Sequence, residues 1–82
     1  MISAKIEIEN KFTFGMTEIY LEVQKNVIIS CDVFSDSLDI DLIKHLKNGF
    51  LGLNYQNLNE LKIKINQNYV EHANEILNFI NK

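Results

Sequence analysis

The chain has 82 residues, 46% of them apolar, and a formal net charge of −3. A chain of this length makes one small domain, assigned to residues 1–82, that buries roughly 60–65% of its unfolded surface. Arginine is absent and no basic cluster tracks a phosphate backbone, and no apolar run approaches the roughly 20 residues of a membrane span, so nucleic-acid and membrane partners are excluded.

Residues 4–14 alternate. Ile6, Ile8, Phe12 and Phe14 point one way, and Lys5, Glu7, Glu9, Lys11 and Thr13 point the other. Period two predicts a strand with one buried face. Asn10 falls on the apolar side and predicts a bulge or a strand start. Gly15 and Met16 break the run. Alternation resumes over residues 17–23, where Thr17, Ile19, Leu21 and Val23 oppose Glu18, Tyr20 and Glu22. Gln24-Lys25-Asn26 supplies a short turn in which Asn26 takes positive φ. Residues 27–34 form a third strand whose shared face holds Ile29, Cys31 and Val33. The result is an antiparallel meander with one face to cover.

The helices follow. Asp39 caps a helix start and Asp41 suits its first turn, where the helix dipole favours negative charge. Leu42, Ile43, Leu46 and Phe50 fall on one stripe, with Lys44 and Lys47 toward the C-terminal end. Gly49 and Gly52 read as a helix stop and a tight link. Asn57 with Glu60, and Asn68 with Glu71, read as capping boxes. Val70, Ala73, Ile76, Leu77 and Ile80 form the stripe of a last helix. The segment Leu61-Lys62-Ile63-Lys64-Ile65 alternates like a strand, yet Leu58, Leu61 and Ile65 also fit a helix, the preferred reading. The fold class is therefore α+β: a small three-stranded antiparallel sheet followed by about three helices packed on one face.

Catalytic chemistry is scarce. Cys31 sits on the buried strand face, where free cysteine packs as a small hydrophobe. One cysteine forms no internal disulfide, and the N-terminus has no charged lead before an apolar core, so the chain reads as cytoplasmic. Asp32, Asp36, Asp39 and Asp41 lack the alternate spacing and central glycine of a calcium loop, so no metal is expected. His45 and His72 read as surface residues without ligand partners. The glycines form no phosphate cradle, and no Ser–His–Asp constellation exists. The segment Phe34-Ser35-Asp36-Ser37-Leu38 differs. It is polar in the middle and apolar at its ends, and it reads either as a strand-to-helix link or as a contact surface on a rigid scaffold.

The order of motifs resembles the C-terminal accessory domain of bacterial lipoate–protein ligase A. The matching pieces are K-F-T-F-G at 11–15, E-I-Y-L-E-V at 18–23, V-F-S-D-S-L at 33–38, and L-x-x-G-F-L-G-L-N-Y ending at Tyr55. The resemblance spans roughly residues 11–80 and supports helix over strand at 58–66. It implies a domain that assists a separate catalytic domain or subunit, which activates lipoate with ATP to lipoyl-AMP and passes the lipoyl group to a lipoyl-acceptor domain. ATP, Mg and lipoate are implied for the complete ligase, with none bound by this domain alone. Phe34, Ser35, Asp36, Ser37 and Leu38 are expected at the partner-domain interface, and Gly15, Gly52 and Tyr55 in structural roles. No residue is expected to be catalytic. The alternatives are a non-catalytic scaffold similar to sulfur-transfer proteins, or a self-associating module pairing through edge strands.

Overall fold

The computed structural model describes residues 2–81. Strands β1 (Ala4–Phe12), β2 (Gly15–Gln24) and β3 (Val27–Ser35) form one antiparallel sheet in the order β1-β2-β3. Helices α1 (Ile40–Phe50), α2 (Leu61–Lys64) and α3 (Val70–Ile80) follow, with 3-10 segments Tyr55–Glu60 and Gln67–Tyr69 between them. The α+β class stands as the alternation predicts.

Both hairpins close through two residues. Lys25 and Asn26 both take positive φ, +52° and +66°. That is the backbone of a type I′ turn, whose twist matches the flanking strands. At the first hairpin Phe12 pairs with Gly15, so β1 ends two residues earlier than its alternation suggests. Asn10 stays in register, opposite Thr17. The bulge lies instead in the β2–β3 pairing, where Glu22 faces Ser30 but Val23 faces Ile28. One extra residue on β3 reverses its alternation. Ile28, not Ile29, therefore joins Cys31 in the core, and Ile29 is exposed.

The inner sheet face meets all three helices. Ile19 and Leu21 lie opposite a layer that includes Leu42, Leu46 and Phe50 of α1, Leu61 of α2, and Ile76 and Leu77 of α3. Each such side chain, buried almost completely, contributes roughly 1.5–3 kcal/mol relative to exposure. Asp39 caps α1, its Oδ1 accepting from the Leu42 N–H at 3.0 Å. Lys47 in the last turn sits 3.7 Å from Asp32, an exposed pair of little energetic weight.

The later caps differ from the sequence pattern. Asn57 lies at a kink with non-helical φ/ψ, and no side chain caps α2 or α3. Asn54 and Asn66 do the capping instead, each accepting from the N–H two residues on, at 2.8 and 2.9 Å. Gly49 lies inside α1 rather than at its end. A Cβ there would meet Leu61 Cδ1 at 2.6 Å, so it is a point of close approach between α1 and α2. The ambiguous segment is a single helical turn in which Leu61 and Ile65 are buried and Ile63 is exposed. The chain after α1 also protects β3: the Ile28 N–H donates to Leu53 O at 2.9 Å, and the Gly52 N–H donates to Ile28 O at 2.8 Å.

Candidate functional site

The 34–38 segment divides into inward wiring and outward apolar groups. Thr17 is completely buried, and its hydroxyl donates to Gly15 O at 3.2 Å. With its one proton used there, Thr17 accepts from the Ser35 hydroxyl 3.0 Å away. Ser35 Oγ in turn accepts from the Ser37 N–H at 3.1 Å, and Ser37 Oγ accepts from the Asp39 N–H at 3.2 Å. Asp36 extends the sheet by one rung. Its N–H donates to Met16 O at 3.2 Å, and its Oδ1 accepts from the Met16 N–H at 2.9 Å. Ser35, Asp36 and Ser37 thus hold the loop in one shape.

Phe34 and Leu38 face out, 60% and 98% exposed. The Phe34 ring meets Tyr20 edge-on, centroids 5.9 Å apart. The Tyr20 hydroxyl donates to Glu18 at 3.0 Å. That bond, with burial and the charges of Glu18, Glu7 and Glu9, pushes the phenol up to about 12. Tyr20 is therefore a neutral prop beside Phe34. Sequence reasoning missed two exposed apolar residues, Met16, which shares a depression with Phe34, and Ile40, two residues after Leu38 in the chain; they are 44% and 67% exposed. The signal was present: Met16 is an apolar residue at the head of a polar strand face, and Ile40 precedes the buried stripe of α1. Met16, Glu18, Phe34, Ser35 and Asp36 line a shallow open depression of about 350 Å³.

Gly15 (φ +132°) leaves room for the Asp36 carboxylate where its own Cβ would be. Gly52 (φ +88°) turns the chain after α1. The Tyr55 N–H donates to Asn26 O at 2.6 Å, anchoring the second hairpin. These three fall in two groups, one against the 34–38 segment and one away from it. Gly15 stands beneath the loop, and Gly52 and Tyr55 at the opposite end of β3.

Among the described residues no group of three or more His, Cys, Asp or Glu is placed to hold a metal ion. Acids flank the 34–38 loop, and its depression is open to solvent. His45 packs on Tyr69 (4.9 Å) and His72 on Phe14 (4.8 Å). Both are half-buried ring contacts rather than free surface groups. No described helix is long and apolar enough to cross a membrane.

Cys31 is buried, and burial, reinforced by the charge of Asp32 and opposed by Lys47, pushes its thiol from 9.0 up to about 12. The thiolate that alkylating reagents attack is scarce at neutral pH. Native protein at pH 8 is expected to resist iodoacetamide, while unfolded protein reacts readily, as intact-mass measurement would record. The unfolded chain releases this proton first. Stability from this group therefore holds below pH 9 and falls as the pH climbs from 9 toward 12. Cys31→Ala should flatten that fall in chemical-denaturation midpoints.

A family model described as the bacterial lipoate protein ligase C-terminus matches residues 2–81. Lipoate–protein ligase 1 of Plasmodium falciparum (isolate 3D7) is 46% identical over 43 residues, which are 52% of this chain and 10% of that ligase. The crystal structure of P. falciparum LipL1 in complex with lipoate is similar with a TM-score of 0.69 at 32% identity, covering 83% of this chain and 22% of that one. The chain therefore spans only a small share of the length of these relatives.

Proposed function

The chain belongs to the bacterial lipoate protein ligase C-terminus family, and from that premise we propose that it is the accessory domain of a lipoate–protein ligase. In this reading a separate catalytic domain or subunit binds ATP, Mg and lipoate, forms lipoyl-AMP, and transfers the lipoyl group to an acceptor lysine in the cytoplasm. This domain contributes cover. An acyl adenylate is destroyed by water, and closing a domain over the site excludes water and completes the activating geometry. The acceptor must then reach the same site, so the cover must move. A modest interface between domains permits that motion.

The match over residues 2–81 carries the reading. The wired loop with outward Phe34 and Leu38 supports it, because a rigid scaffold presenting apolar groups suits docking. Gly15 shapes that loop from below, and Gly52 and Tyr55 secure the far end of β3. The buried, protonated Cys31 does not favour a sulfur-transfer role.

The test is reconstitution. The purified 82-residue chain is added to a lipoate–protein ligase from which the C-terminal domain has been removed, and lipoyl-AMP is quantified by chromatography. Formation should rise with added domain and saturate. No gain at saturating domain would overturn the proposal.

A further inference from the structure

We infer that the strip Met16–Phe34–Leu38–Ile40 is the part of this domain that grips the catalytic part of the ligase, and that the facing surface there is apolar with a rim of lysine or arginine. The inference rests on the ligase reading above and narrows it to particular side chains and a partner chemistry.

Three observations converge. The first is exposure without internal purpose. Leu38 is 98% exposed and Ile40 67%, and each large apolar group left in water is unfavourable until something covers it. The second is rigidity. Ser35, Asp36 and Ser37 spend their polar atoms on Thr17, Met16 and each other, so the strip is held in place before binding. Pre-organisation of this kind lowers the ordering cost of association. It also means that the three polar residues of the loop act as supports, while the contacts come from Phe34 and Leu38 at its ends and from Met16 and Ile40 outside it.

The third observation is charge. Glu18 and Glu9 face each other across β1 and β2, next to Phe34 and Met16. Like charges directly opposite are destabilising in a sheet. Asp36, Asp39 and Asp41 border Leu38 and Ile40 along the chain. Lys11, in register with Met16, is the neighbouring cation. An apolar centre with an acidic rim is complementary to an apolar centre with a basic rim. A second copy of this chain would set acid against acid. The relatives continue far beyond this domain, which covers 22% of the LipL1 chain, so a larger surface exists for it to meet.

Binding is measured by calorimetry between this chain and a lipoate–protein ligase lacking its C-terminal domain. Leu38→Ser combined with Ile40→Ser should weaken binding at least about tenfold, the loss typical of removing central anchor residues, with circular dichroism unchanged. Raising NaCl from about 50 to about 500 mM should weaken wild-type binding by screening the rim. Unchanged affinity in the double variant would overturn the strip while leaving the ligase reading intact. Salt-independent binding would overturn the basic rim. A Leu38-dependent dimer of the isolated chain that persists in the presence of the ligase would assign the strip to a second copy and overturn the inference. Wild-type protein that fails to bind at all would overturn both the strip and the reading beneath it.

Discussion

Phe50→Ala is expected to remove about 3–5 kcal/mol of folding stability, the usual loss for emptying a buried phenylalanine site. Phe50 is completely buried at the end of α1, among the residues that join α1, α2 and the sheet. Collapse into the space is restricted. Gly49 already brings α1 against Leu61 as closely as a hydrogen atom allows, and the 51–54 segment is pinned to Ile28 by two backbone hydrogen bonds. A domain of this size carries about 4–12 kcal/mol in total. The variant should therefore lose a quarter or more of its stability and melt roughly 12–40 °C lower. Urea titration followed by circular dichroism would measure it. A loss below about 1 kcal/mol would mean that this corner is loosely packed. Phe34→Ala gives the opposite pattern. It removes an exposed ring with one edge-on partner, so its stability cost should stay within about 1 kcal/mol.

The same contrast explains what was legible in the chain. Each phenylalanine is sorted by the period of its own element: Phe50 continues the Leu42–Leu46 stripe of α1, whereas Phe34 falls on the outward side of strand β3. Period-two alternation located all three strands because each has one wet face. It misplaced Ile28 and Ile29 because a bulge adds a residue without any change in composition. The caps failed for another reason. In an asparagine-rich stretch, Asn54, Asn57, Asn66 and Asn68 all fit some capping pattern, and tertiary hydrogen bonds decide among them. Tyr55 is tied to Asn26, which fixes the start of the 3-10 segment at Asn54. At the candidate site, the loop was visible as polar residues between apolar anchors. The division of labour within it was not, because Ser35 and Asp36 find their partners Thr17 and Met16 about 20 positions away.

That long-range closure makes Gly15→Ala the second large effect. The backbone at Gly15 has φ +132°, where an L side chain is strained by about 1–2 kcal/mol. The new methyl would also occupy the place of Asp36 Oδ1 and crowd the Ser37 backbone. The carboxylate must then leave, and the Met16 N–H loses its acceptor, which adds about 1 kcal/mol or more. A total near 2–4 kcal/mol is expected from strain and lost bonding together. Strain and crowding separate in a double-mutant cycle. Asp36→Ala alone should cost about 1 kcal/mol, the worth of one hydrogen bond. In that background Gly15→Ala should cost only the strain and the crowding of the Ser37 backbone, so the two losses combine to less than their sum. Strict additivity would show that the glycine is required for φ alone and that Asp36 does not depend on its missing side chain. Sub-additivity would tie Gly15 to the shape of the loop that displays Phe34 and Leu38. In that case Gly15→Ala should also weaken binding of the truncated ligase under conditions where the variant is still folded.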